Sequence, residues 1–178
     1  MTSSVHLVVA VDKNFGIGKN GALPWKLSAD LKRFKEITTK TTSPEKQNAV
    51  IMGRRTWESL PEKFKPLPQR LNCVLTRQSA LVLPTGVMRF SSLTEALHEL
   101  DSQLGKEVEQ VFVIGGGDVY RQCLELNICE KIYLTRVMNS FACDTFFPKR
   151  MAGFRKTFQG EPLTEDGVSY RFEEYQRL

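Results

Sequence analysis

One carboxylate in this sequence sits where a carboxylate is costly. Leu27, Leu31 and Phe34 fall at i, i+4 and i+7, the spacing of a single apolar helix face, and Asp30 lies within the same stripe. Lys32, Arg33 and Lys35 read as pointing elsewhere on that helix. A buried carboxylate needs a partner. Two readings fit: a capping or first-turn carboxylate on a partly exposed face, or an anchor for a cationic or amidine-like group on a ligand.

Basic residues cluster where strands should end. Met52-Gly53-Arg54-Arg55-Thr56-Trp57 puts two arginines at a helix start, where the dipole disfavours cations. The placement makes sense if an anion is shared between the arginines and free backbone N–H groups. Leu75-Thr76-Arg77 ends another strand with a hydroxyl and a guanidinium. Ile114-Gly115-Gly116-Gly117 ends a third, and its glycines let backbone approach a pyrophosphate. Any one of these is also an ordinary solvated turn. Three after three strands favour a phosphate-rich ligand, and the arginines suit a 2′-phosphate, hence NADPH over NADH.

Gly16-Ile17-Gly18-Lys19-Asn20-Gly21 matches G-x-G-x-x-G by letter. The dinucleotide fingerprint requires the glycines to open a helix. Here they run into Ala22-Leu23-Pro24-Trp25, and Pro24 with the glycines forbids a helix start. The segment is either a plain surface loop or a mobile lid whose Ile17, Leu23 and Trp25 need something to cover.

Strand and helix signals alternate. Val5–Val11, Ala49–Met52, Leu71–Leu75, Val87–Phe90, Val108–Ile114 and Lys131–Val137 read as strands, with Phe154–Gly160 and Val168–Gln176 as two more around the turn signal Thr164-Glu165-Asp166-Gly167. Ser28–Thr38, Arg54–Ser59, Leu93–Leu104 and Gly117–Leu124 read as helices, with Ser28 as an N-cap. The alternation predicts an α/β fold, a mainly parallel sheet with helices on both faces, and an antiparallel C-terminal edge strand. Ligands of such sheets bind beyond the carboxyl ends of the strands.

Composition sets outer limits. The 178 residues suit one domain over 1–178, with 41% hydrophobic and 25% charged residues in an ordinary globular balance. The start, Met1 to Ser4, is polar, and no stretch approaches the roughly 20 apolar residues of a membrane helix. Cys73, Cys123, Cys129 and Cys143 form no CxxC pair, and none has a histidine at metal-ligand spacing. The expectation is free thiols in the cytoplasm, no metal and no membrane. The net charge of +5 is spread along the chain, which suits small anionic ligands and does not call for nucleic acid.

Taken together these residues resemble dihydrofolate reductase, in its eukaryotic form, over nearly the whole chain. The resemblance is carried by Gly16-Ile17-Gly18 with Leu23-Pro24-Trp25, by Asp30 to Phe34, and by Met52 to Pro61. It continues through Pro66-Leu67 to Arg70-Leu71-Asn72, Ile114 to Gly117 with Tyr120, Leu134-Thr135-Arg136, and Asp144 to Pro148. It implies an eight-stranded, mainly parallel sheet and NADPH-dependent reduction of dihydrofolate to tetrahydrofolate, for one-carbon metabolism and thymidylate synthesis. Hydride would pass to pterin C6, with N5 protonated through water that the lid loop admits rather than by Asp30 directly. Asp30 would hold the pterin N3 and 2-amino group, supported by the Thr135 hydroxyl, with Leu23 and Trp25 beside them in the catalytic set. Val9, Leu23, Leu31, Phe34, Leu60, Leu67, Ile114 and Tyr120 would line the substrate pocket, and Arg70 would grip the glutamate α-carboxylate. Ala10 and Ile17 would touch the nicotinamide. Gly53, Arg54, Arg55, Thr56, Leu75, Thr76, Arg77, Ile114, Gly115, Gly116, Gly117, Asp118, Val119 and Tyr120 would bind the rest of the cofactor. Gly115–Gly116 would be a cis peptide, and Lys65–Pro66 also fits one.

Departures are small: Asp30 where animal members carry Glu, Leu31 where some carry Phe, and an unusual Gly117-Asp118 after the paired glycines. Antifolate inhibitors would be partners, and the chain would be a monomer unless fused to thymidylate synthase. Another NADPH reductase of similar architecture, of the riboflavin-pathway kind, is disfavoured by the Asp30–Phe34 helix and the Leu67–Arg70 segment. A silent ligand-binding module is disfavoured by Asp30 and the intact glycine loops.

Overall fold

A short run that is apolar at every position and β-branched at its centre, such as Ala49-Val50-Ile51-Met52, reads as a strand buried on both faces. The computed structural model describes residues 3–178 and bears this out. Met1 and Thr2, the beginning of the polar start, lie outside the described residues. In chain order the elements are β1 (Ser4–Val11), β2 (Gly16–Gly18), α1 (Ser28–Thr39), β3 (Gln47–Gly53), α2 (Arg54–Ser59), a 3₁₀ turn (Glu62–Phe64), β4 (Arg70–Leu75), β5 (Met88–Phe90), α3 (Leu93–Ser102), β6 (Val108–Gly115), α4 (Gly117–Glu125), β7 (Cys129–Val137), β8 (Thr145–Phe146), β9 (Phe154–Gln159), β10 (Leu163–Glu165) and β11 (Val168–Arg177).

The main sheet runs β10-β11-β7-β1-β6-β3-β4-β5, with β9 also paired to β11. β9 and β10 share the outermost position, so nine strands fill eight places. β1, β3, β4, β5, β6 and β7 pair in parallel, and β11 joins β7 antiparallel. The C-terminal antiparallel strand is therefore present, with β9 and β10 outside it. Asp166 and Gly167, both with positive φ (49° and 77°), make the tight turn between β10 and β11.

Side-chain alternation divides the core. Val5, Leu7, Val9, Val11, Ile51, Cys73, Val111 and Val113 pack with Leu93, Ala96, Leu97 and Leu100 of α3 and with Val119 and Cys123 of α4. Val50, Met52, Val74 and Phe112 point the other way, towards Phe34 and Ile37 of α1 and Trp57 of α2. Helices thus cover both faces. From β1 the chain moves towards β3 by α1, and from β6 it moves back towards β7 by α4. That reversal opens a crevice at the carboxyl ends of β1 and β6. Among the described residues no helix is long and apolar enough to cross a membrane.

His6 on β1 is an exception to the apolar rule. It is 6% exposed, its ring lies 5.4 Å from that of Phe112 and 6.1 Å from that of Tyr133, and neither nitrogen has a hydrogen-bond partner. Burial pushes its pKa below the usual imidazole value, against a weaker opposing pull from Glu130. A base whose folded pKa is depressed lends its full stability above the unfolded pKa, and that stability drains away as pH falls below it. His6→Phe is therefore expected to flatten the loss of melting temperature between about pH 7 and about pH 5. Parallel losses in the two proteins would assign the acid sensitivity to other groups.

Candidate active site

Asp30 is positioned by its helix and held by one hydroxyl. It lies in the first turn of α1, whose N-cap position is Leu27 rather than Ser28. The Ser28 side chain does not cap the helix: its Oγ donates to Glu165 Oε1 (2.5 Å), and its N–H donates to Glu165 Oε2 (2.7 Å). The cap comes from the β10–β11 turn, a carboxylate at the positive end of the helix. Thr135 on β7 then donates its hydroxyl to Asp30 Oδ1 at 2.5 Å.

Arg33, expected to point away, stays within electrostatic reach of Asp30. It pairs with Glu174 at 3.1 Å and lies 4.4 Å from the centre of the Phe172 ring. Burial raises the Asp30 pKa, while the Thr135 hydroxyl and the Arg33 charge pull it down by less. Tyr120, buried on α4, donates to Val8 O at 2.8 Å and so ties α4 to β1 across the crevice. Burial, then the charge of Asp30, raise its pKa far above the usual phenol value.

The same face of the sheet carries Phe34, Leu60, Leu67 and Ile114, packed about Trp57 and Met52. Ala10 lies with Trp25, Leu27 and Phe172 in a neighbouring cluster. Val9 is turned into the opposite core, under α3 and α4, because strand alternation sends it there. Leu31 is 51% exposed and Leu23 49% exposed, so these two are apolar groups presented to open space. Trp25 is buried against Phe141, and its indole N–H has no protein partner.

Arg70 is a buried guanidinium without a carboxylate among the described residues. Its Nε donates to Pro68 O and its Nη1 to Thr38 Oγ1, each at 2.9 Å. It lies 5.7 Å from the Phe34 ring centre, and burial lowers its pKa. Asn72 shapes the segment before it, accepting from Leu67 N–H and donating to Leu67 O and Arg70 O, all at 2.9 Å. The Lys65–Pro66 peptide there is cis. Sequence reasoning missed Thr38 and gave Asn72 no role. A polar amide inside an apolar strand was the available signal.

The glycine-rich end of the crevice is backbone. Gly115–Gly116 is cis, and Gly115 has a φ of 127°, which an L side chain rarely adopts. A Cβ on Gly115 would sit 3.3 Å from the Tyr120 hydroxyl, and one on Gly53 would sit 3.4 Å from Val119. A cavity of about 230 Å³ opens beside Gly53, lined by Leu75, Thr76, Arg77, Ser91, Ser92, Leu93, Val119 and Gln122. Ser91, Ser92, Leu93 and Gln122 were not anticipated. Arg55 and Arg77 are exposed there, whereas Arg54 is bound to both Glu58 oxygens and Asp118 to Arg121.

The loop after β1 is tied down at its root. Asp12, fully buried, accepts from the N–H groups of Asn14, Gly16 and Phe141 at 2.7–2.9 Å. β2 pairs with β8, and Asp144 accepts from Asn20 N–H at 2.9 Å. The glycines open a strand and no helix, as Pro24 requires. A Cβ on Gly16 would run into Cys143 Sγ. Ile17 packs back toward Gly117.

Fold and crevice define an α/β protein with an acidic anchor at one end of its cleft and a glycine-lined, arginine-rimmed hollow at the other. The dihydrofolate reductase family model matches residues 4–177. A bifunctional dihydrofolate reductase-thymidylate synthase of Glycine max is 45% identical over 177 residues, 97% of this chain and 33% of that protein. A dihydrofolate reductase of Heliothis virescens is 42% identical over 98% of this chain and 97% of its own length. The solved Schistosoma mansoni dihydrofolate reductase superposes with a TM-score of 0.88 at 38% identity, covering 99% of each chain. The chain belongs to the dihydrofolate reductase family, whose members are NADPH-dependent oxidoreductases. It spans about a third of the length of the plant bifunctional relatives and nearly all of the insect ones.

The Thr135 hydroxyl favours the charged form of Asp30 by donating to it. Thr135→Val keeps the shape of the side chain and removes the donor. The Asp30 pKa is expected to rise further, read from the carboxyl ¹³C shift over a pH series. An unchanged midpoint would show that burial alone sets it.

Proposed function

We propose that this chain reduces 7,8-dihydrofolate to 5,6,7,8-tetrahydrofolate with NADPH. The observation that carries the reading is Asp30, a half-buried carboxylate fixed by Thr135 in a cleft whose far end is glycine backbone. A carboxylate with one oxygen so engaged offers the other to a flat ring bearing adjacent N–H donors, as the pterin N3 and 2-amino group do. Phe34, Leu60, Leu67 and Ile114 supply the apolar walls, and Arg70 supplies a fork for the glutamate α-carboxylate.

The residues fit NADPH. The Gly53 and Gly115–Gly116 backbone leaves room where side chains would intrude, and Thr76, Arg77, Ser91 and Ser92 surround a hollow of phosphate size. When bound, the nicotinamide supplies the hydride. The protein would align the rings and exclude water, with Ala10 and Ile17 beside the nicotinamide and Tyr120, held on Val8 O, with the glycine backbone beneath it. Asp30, its pKa raised, polarises the pterin so that N5 can take a proton through water admitted by the loop of Leu23 and Trp25. Gly117, Val119 and Asp118 complete the phosphate end, with Arg55 and Thr56 above it. Antifolates that carry an amidine-like ring are expected at the same carboxylate. Residues 1–178 would act as one reductase domain in the cytoplasm, monomeric or as part of a reductase–thymidylate synthase chain.

The test is the fall of NADPH absorbance, with and without dihydrofolate. No dihydrofolate-dependent oxidation would overturn the reading. Asp30→Asn is expected to lower kcat at neutral pH by on the order of 10²-fold or more, with recovery as pH falls and NADPH binding nearly intact. Wild-type turnover at pH 7 would remove Asp30 from the chemistry. Arg77→Ala should raise KM for NADPH far more than for NADH, and equal changes would free Arg77 from 2′-phosphate recognition. Arg70→Lys should weaken dihydrofolate but not a pterin lacking glutamate, because lysine has no bidentate fork.

A further inference from the structure

On the face of the sheet opposite Asp30, positive charge exceeds what the protein neutralises. Glu173 on β11 is fully buried and takes Arg136 Nε at 3.1 Å, Lys156 Nζ at 3.3 Å and Arg171 Nε at 2.8 Å. Its second oxygen also accepts from the Tyr175 hydroxyl at 2.7 Å. One carboxylate thus serves three cations and is used up. Arg136 and Arg171 are direct cross-strand partners, a like-charge pairing that Glu173 bridges with one negative charge against two positive ones.

A hollow of about 300 Å³ opens beside this cluster, lined by Lys13, Arg136, Val137, Met138 and Arg171. Lys13 adds a third cation to the two arginines, and no acid lines the hollow. Asp12, its chain neighbour, is spent on backbone N–H groups. Among the described residues no protein acceptor meets the Nη groups of Arg171. Both arginines are already fixed through Nε, so presenting their remaining N–H donors costs little further ordering.

We propose that this hollow is a second anion-binding site, taking a phosphate or diphosphate group on Lys13, Arg136 and Arg171. It lies on the sheet face opposite Asp30 and far across the sheet from Thr76 and Arg77, which follow β4. A hollow bordered by three cations and no acid suits a compact multiply charged anion. Lys13 also sits at the root of the β1–β2 loop, its N–H on Asn139 O at 3.2 Å. An anion held there would bridge that root to β7 and β11.

The experiment is a titration of inorganic diphosphate into the full chain at constant ionic strength, followed by backbone amide shifts. The expected result is saturable movement of the Lys13, Arg136, Val137 and Arg171 amides. Lys13→Ala, which removes an exposed side chain and threatens no packing, should weaken that binding about tenfold, as losing one charged hydrogen bond would. Arg77→Ala should leave it unchanged. Shifts confined to Thr76, Arg77, Ser91 and Ser92, linear shifts without saturation, or indifference to Lys13→Ala would each overturn the proposal. Inorganic phosphate and ADP are the comparison arms. Equal affinity of ADP and diphosphate means that the phosphate group alone is recognised, and tighter ADP binding identifies a nucleotide as the ligand.

Discussion

The architecture follows from one constraint: the central parallel strands bury both faces. β3 exposes almost nothing, with Ala49, Val50, Ile51 and Met52 all enclosed. Each face must therefore be roofed by helices, and each helix must cross from one parallel strand to the next. The crossings leave only the strand ends open. Two of the places this leaves for functional side chains are the carboxyl ends of strands and the first turn of a roofing helix. Asp30 occupies the second, and Thr135 near the end of β7 meets it from the first.

Two carboxylates show how burial and partners compete to set ionisation. Glu173 is entirely buried, yet three cations and a phenol hold its pKa below the usual range. Asp30 receives one short hydrogen bond and a more distant guanidinium, and its pKa lies above the usual range. The first is a structural charge made comfortable. The second is kept short of partners, which leaves it free to engage a ligand.

The strands and helices of the sheet were legible because their patterns are long and strictly periodic. Arg54–Ser59 matches to the residue, and no other expected boundary is off by more than two residues. β2, β8 and β10 were not seen. Each has two or three residues, too few to carry a pattern, and β2 and β8 exist only because distant segments pair, as Gly16 does with Phe146. The same limit applies to the site. Asp30 and Arg70 announce themselves as charges in apolar company, whereas Thr38 and Glu165 act across 32 and 137 positions of chain, and nothing local marks them. Ser28 illustrates the converse: a residue with ideal capping chemistry surrendered it to a carboxylate that sequence alone could not bring near. Val9 was expected beside the ligand by resemblance, while strand alternation turns its side chain into the opposite core.

The anchoring of α1 has a consequence for the order in which the protein is made. β1, β3, β4 and β6 can associate as soon as they are synthesised, since every partner of β3 precedes residue 116. The helix that carries Asp30 cannot be fixed then. Its N–H cap is Glu165, its Arg33 rests on Glu174 and Phe172, and both belong to a hairpin translated more than 130 residues later. While the nascent chain is still in the ribosomal tunnel, the sheet has a centre but no ligand cleft. A ligand that recognises Asp30 therefore finds its target only after β11 has left the ribosome, which makes bound ligand a report on the emergence of the C-terminal hairpin as well as on folding.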